Sequence, residues 1–164
     1  MEVAKPIVVV NRMMPQESET VASLFRDVLL RIPYYNDVAK TSELAKYSSY
    51  LLRESMAVDP DSVLVAKTEQ RLVGFCISRP DDGVIWLSWF GVHHSHRREG
   101  VGSALLEKLD ETVRNGRSHK IWCDSRTDNR ESLSVLRRHN YVQLCTVRNH
   151  WYGQDFILWE KLLG

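Results

Sequence analysis

The chain has 164 residues, 43% of them hydrophobic and 26% charged, which suits one globular unit with a buried core and excludes disordered, collagen-like and disulfide-knotted chains. Twenty-two Lys and Arg stand against twenty-one Asp and Glu, and the formal charge of +1 leaves no global field to gather nucleic acid or an anionic membrane. The three cysteines, Cys76, Cys123 and Cys145, lie in apolar stretches without CxxC or zinc-finger spacing and read as buried free thiols of a reducing compartment.

Near the N-terminus stands one short apolar run with no cleavage pattern behind it, and no stretch approaches the ~20 apolar residues of a membrane span. A soluble, cytoplasmic protein is expected. Residues 7–10, β-branched, predict a first strand, and Pro15, Ser18 and Thr20 supply helix-start chemistry. Val21, Leu24, Phe25, Val28 and Leu29 then form one apolar helical face, ended by Pro33. After a Tyr-rich connection, Thr41 or Ser42 caps a second helix carrying Leu44, Tyr47, Leu51 and Met56, closed by Pro60. Residues 62–67 and 72–78 read as a hairpin around the polar residues 68–71, and residues 80–83 as a second turn.

Residues 84–93, with Trp86, Trp89 and Phe90, are the most apolar segment and predict a strand covered on both faces at the centre of the sheet. A helix over 100–115 shows Val101, Leu105, Leu109 and Val113 on one face, and Gly116 ends it in the left-handed conformation. Residues 120–125 are a strand, 129–139 a helix, and 141–148 and 156–161 two closing strands. The order is mixed α/β, with helices between sheet strands.

The chemistry concentrates where the buried strand runs into His93-His94-Ser95-His96-Arg97-Arg98-Glu99-Gly100-Val101-Gly102-Ser103 and opens onto a helix. A helix N-terminus is an anion site, because its first N–H groups have no intrahelical partner and carry about half a positive charge. Gly100 and Gly102 lack the Cβ that would keep a phosphate from the backbone, and Arg97 and Arg98 add charge; close helix packing is the alternative reason for the glycines. A P-loop is excluded because no Lys follows Gly102, and the dinucleotide fingerprint because Leu105 stands where it needs Gly or Ala. His93, His94 and His96 in a turn beside two arginines, with no carboxylate or Cys to complete a set, do not point to a metal.

Arg97-Arg98-Glu99-Gly100-Val101-Gly102 matches the Gln/Arg-x-x-Gly-x-Gly/Ala signature, and here the chain resembles the GNAT superfamily of acetyl-CoA-dependent N-acetyltransferases. The hairpin carrying Val65 and Phe75, the strand ending in Val92, the following helix, and Asn129-x-x-Ser132 through Tyr141 follow that family's order of elements over nearly the whole chain. The resemblance implies a mixed, mostly antiparallel central sheet of six or seven strands flanked by about four helices, in one N-acetyltransferase domain over 1–164.

It implies, further, that acetyl-CoA is the co-substrate, with its pyrophosphate on the backbone of Arg98, Glu99, Gly100, Val101, Gly102 and Ser103 beside Arg97. Pantetheine would lie along Phe90, Gly91 and Val92, the Val92 N–H would face the thioester oxygen, and Asn129 would face the pantetheine arm, although Asn there also suits an N-cap. The reaction implied is direct acetyl transfer to a primary amine: a small amine, an amino acid or a peptide N-terminus. Asp124 falls where relatives that acetylate protein N-termini carry a general base; an ion pair with Arg126, two residues on, is the competing reading. The position at which many members carry the acid tyrosine is Leu136, so either the thiolate leaves through water without direct protonation or another phenol reaches in, Tyr152 and Tyr141 being the nearest by the resemblance. An aromatic acceptor rim is expected from residues 33–36, Tyr47, Tyr50 and residues 150–152. The rival function is a non-catalytic acyl-CoA sensor; nucleic-acid binding lacks a continuous basic face, and a homodimer is allowed but not written in the sequence.

Overall fold

The computed structural model describes residues 3–164. Strand β1 (Val9–Arg12) leads into helix α1 (Ser18–Leu30), then α2 (Asp37–Lys46) and α3 (Ser49–Val58). Strands β2 (Val63–Thr68), β3 (Arg71–Asp81) and β4 (Val84–Val92) follow, and then α4 (Val101–Thr112), β5 (Lys120–Arg126), α5 (Arg130–Arg138), β6 (Val142–Val147) and β7 (Phe156–Leu162). All seven strands form one sheet in the order β1-β2-β3-β4-β5-β7-β6, with β4 at its centre. Every neighbouring pair is antiparallel except β4 with β5.

The two-residue alternation of a strand sorts the core into two layers. On β2, Leu64 and Ala66 join Leu105, Leu109 and Trp159 under α4, whereas Val63 and Val65 join Phe25, Leu29 and Leu52 under α1 and α3. Fully burying side chains such as Phe25 and Leu105 contributes roughly 1.5–3 kcal/mol each. These layers fix the sheet from both faces and leave one break in it. Strands β4 and β5 pair only at Ile85↔Ile121, Trp86↔Trp122 and Leu87↔Cys123; past that point β4 continues to Val92 and β5 to Arg126 without pairing.

The expected second helix is two helices, which brings the number of α-helices among the described residues to five. Asn36 caps α2, its side chain accepting from the Ala39 N–H at 2.9 Å, and Ser48 caps α3, accepting from the Leu51 N–H at 3.3 Å. The apolar spacing of Leu44, Tyr47 and Leu51 runs across this break, and two short polar side chains able to hold free N–H groups decide it. The first strand begins at Val9 rather than residue 7, and Ile7 is exposed. The hairpin turn between β2 and β3 is two residues, Glu69 and Gln70, both at positive φ, which matches the twist of the flanking strands. Cys76 and Cys123 are buried as expected, but Cys145 is exposed because it lies on the edge strand β6, where residues 142–146 are all open to solvent.

Candidate active site

After Val92 the chain makes a short turn over His94–His96, passes Arg98 at φ 63 and reaches Gly100 at φ 83, the N-cap of α4. The left-handed φ explains Gly100. Gly102 is different: it sits inside the helix, where glycine costs about 1 kcal/mol against alanine, and an added Cβ would meet only Val92 Cγ2, at 4.0 Å. Close packing within the chain therefore does not account for it. The first N–H of this helix to find an intrahelical carbonyl is that of Ala104, on Gly100 O at 3.0 Å, so those of Val101, Gly102 and Ser103 have no such partner. Arg97 Nη1 donates to Glu131 Oε2 at 3.0 Å, which ties the loop to α5, and Glu99 holds His96 at 3.0 Å. His93 Nδ1 accepts from the Ser95 N–H at 3.2 Å; burial and then His94 lower its pKa, which keeps that nitrogen free to accept.

The break in the sheet lies just before this loop. The His93 N–H donates to Val73 O at 2.8 Å, and hydrogen-bonded positions alternate along an antiparallel ladder. The N–H groups of Phe90 and Val92 accordingly point away from β3, toward the side that β5 has left. Gly91 between them is required for packing, since a Cβ there would fall 2.6 Å from the Phe75 ring.

A groove of about 410 Å³ fills the gap, with Phe90, Ser125, Asn129 and Ser132 toward the loop and Trp86, Trp89 and Trp151 toward the paired end. Asn129 both caps α5, Oδ1 accepting from the Ser132 N–H at 3.1 Å, and lines the groove. Asp124, on β5, lines it too. Among the described residues its carboxylate has no hydrogen-bond or ion-pair partner, and its pKa is raised to about 7, first by burial and then by the charge of Glu43, with Lys46 pulling the other way. The competing ion pair with Arg126 does not form. Arg126 donates to the carbonyls of Tyr34 and, at 2.9 Å, Asp155, with Asp128 at 3.5 Å, and lies over the rings of Tyr34, Tyr35 and Phe156.

Across from Asp124 stands Glu43, which no pattern along the chain singles out. It accepts from the Tyr152 hydroxyl at 2.8 Å, from Trp89 Nε1 at 3.2 Å and from Lys46 Nζ at 3.3 Å. Lys46 Nζ also donates to the Tyr152 oxygen at 3.0 Å. Tyr152 takes a left-handed backbone, φ 57, and its carbonyl accepts from Asn36 Nδ2 at 2.9 Å, so the segment before β7 is fastened to α2. Of the two phenols expected to reach the site, Tyr152 lines the groove, whereas Tyr141 is buried outside it with its hydroxyl unpartnered. Leu136 is buried as well, 1% exposed. In the expected rim Tyr35, Tyr47 and Trp151 line the groove, while Tyr50 is 59% exposed and does not.

The profile of the Acetyltransferase (GNAT) family matches residues 29–141. The chain belongs to the GNAT acetyltransferase family. No curated protein sequence matches it. Among solved structures, the PaiA N-acetyltransferase of Thermoplasma acidophilum in complex with coenzyme A is similar at TM-score 0.81 and 16% identity, covering 95% of this chain and 99% of that one. A GNAT-family acetyltransferase of Streptococcus pneumoniae gives 0.79 at 17%, covering 96% and 100%, and a ribosomal-protein-alanine N-acetyltransferase of Brucella melitensis 0.76 at 20%, covering 94% and 99%. At these identities the likeness establishes the shared fold, a mostly antiparallel seven-stranded open sheet with five helices. In this GNAT chain the split between β4 and β5 and Asp124 meet at one groove, whose lining on β4 runs from Trp86 to Phe90.

The residues that reading along the chain missed are Glu43, Lys46, Trp86 and Trp89 as a group. Each is ordinary in its own stretch, and they converge only where α2 meets the turn at Trp151–Gly153 and the Trp89 indole reaches Glu43. The one signal available was Asn36, a capping residue that starts α2 early enough to turn Glu43 and Lys46, three apart, onto one face.

Proposed function

We propose that this chain, read over 1–164 as one N-acetyltransferase domain, moves an acetyl group from acetyl-CoA to a primary amine by direct attack. The observation that carries the reading is Asp124: an unpartnered, largely buried carboxylate, poised near neutrality, beside a strand whose Phe90 and Val92 N–H groups face away from β3. The chain's own residues fit the co-substrate. The open space at Gly102, the three free N–H groups of Val101, Gly102 and Ser103, and Arg98 suit a pyrophosphate, and the free edge of β4 from Phe90 to Val92 suits the amide-bearing pantetheine arm. Bound there, acetyl-CoA supplies a thioester whose carbonyl carbon forms a bond to the amine nitrogen as the carbon–sulfur bond breaks.

An alkylammonium titrates near ~10.4 and cannot attack, so a proton must be removed from the acceptor first. Asp124 takes that proton on a carboxylate oxygen. The Val92 N–H donates to the oxygen on which negative charge grows, in a site walled by aromatic rings where such a bond counts for more than in water. The Tyr152 hydroxyl, by turning its hydrogen from Glu43 to the departing sulfur, is the proton donor, and Lys46 Nζ, which already donates to its oxygen, stabilises the phenolate left behind. Asn129 sets the entry of α5 and the adjoining wall.

Calorimetric titration with acetyl-CoA and coenzyme A, followed by thiol release in the presence of an amine panel, tests this. Binding with amine-dependent thiol release is expected. Binding without release for any amine would replace the enzyme with an acyl-CoA sensor.

A further inference from the structure

The acceptor end of the groove has a chemistry of its own. Its walls are aromatic: Tyr35 lies 5.7 Å from Trp89 between ring centroids, and Trp151 is 5.1 Å from Phe156 and 6.4 Å from Trp86. The carboxylates that line it are those of Asp124 and Glu43. Among the described residues, the cations around it are already engaged. Lys46 is held between Glu43 and Tyr152, and Arg126 is occupied by two backbone carbonyls, Asp128 and three rings. Arg79, at the mouth, faces Asp81 at 3.4 Å with 58% of its side chain in solvent, where screening weakens its pull.

From this arrangement, and resting on the amine acetylation proposed above, we propose that the acceptor is a primary amine on an aromatic or other apolar arm, with no carboxylate on the carbon that bears the nitrogen. The arm stacks against Trp86, Trp89 and Trp151, and the ammonium approaches over ring faces toward Asp124, an arrangement that attracts a cation. A free α-amino acid would bring its carboxylate beside two others with no unengaged cation among the described residues to receive it, and like charges at close range repel. A neutral amide at the same carbon carries no such penalty.

The test compares phenethylamine, phenylalanine amide and phenylalanine, which share one arm and differ only at that carbon, with propylamine as a short-armed control. In thiol release at saturating acetyl-CoA, phenethylamine and the amide are expected to exceed phenylalanine in kcat/KM by roughly tenfold or more, the loss of about one strong polar interaction. Replacing Trp86→Leu and Trp151→Leu together should raise KM for phenethylamine by a clearly larger factor than for propylamine, with kcat for phenethylamine little changed. Phenylalanine turned over as well as phenethylamine, or propylamine preferred to both, would overturn the proposal. Calorimetric binding of the same three ligands to the coenzyme A complex gives the independent readout. If no amine is turned over, the acetyl transfer fails, yet tighter binding of phenethylamine than phenylalanine still upholds the class, and equal or reversed binding still overturns it.

Discussion

Asp124 carries opposing consequences for activity and stability. Its folded pKa of about 7 lies above the ~3.9 of an exposed aspartate, so the folded chain holds that proton more tightly than the unfolded one. The stability gained is complete below the unfolded value and is lost as pH rises from about 4 through about 7. Asp124→Asn should therefore melt higher than the parent at pH 8 and at the same temperature at pH 4, measured by calorimetry. The same variant should lose turnover by roughly a hundredfold or more while keeping its coenzyme A affinity. As the proposed base Asp124 works only when ionised, so kcat/KM should climb through an inflection near 7. In Glu43→Gln that inflection should move to lower pH, because removing the negative charge across the groove makes Asp124 easier to ionise. Tyr152→Phe is expected to lower kcat by roughly tenfold or more with a smaller change in KM, the split that separates a proton donor from a wall.

At the scale of elements, the loop into α4 was legible because its parts are contiguous: strand, Arg97, Gly100, Gly102 and helix follow one another without interruption, and a helix start needs no partner to be an anion site. The groove was only half legible, since its walls come from α2, β4, β5 and the turn at Trp151–Gly153, and no local pattern announces which side chains meet. Where two local signals conflicted, as at Ser48 against the apolar spacing of Tyr47 and Leu51, hydrogen-bond chemistry outweighed periodicity. Gly102→Val tests the loop's reading at this scale. It replaces a poor helix former and fills open space, so the fold should hold, whereas coenzyme A affinity measured by calorimetry should fall by roughly tenfold or more.

Across the whole molecule, the sheet is closed by two core layers and opened at a single seam between β4 and β5. A ligand that spans the seam joins the half of the sheet under α1 and α3 to the half that carries α5, and it binds only the folded chain. At a hundredfold excess over its Kd, coenzyme A should add about 2.7 kcal/mol, which for a chain of this size raises Tm by roughly 5–10 °C. A thermal melt with and without the ligand measures this, and no shift would mean that coenzyme A does not bind the folded chain.

The three cysteines divide the molecule in a way that any assay of its chemistry will meet. Cys76 and Cys123 lie in the core, with both thiols pushed up by burial, Cys76 to about 12, and Cys145 stands in the open on the outermost strand. A thiol reagent added to the native protein should thus consume one equivalent at once and three after denaturation. That single fast equivalent is a fixed baseline beneath every measurement of released coenzyme A, and the two slow ones make the protein its own clock for unfolding.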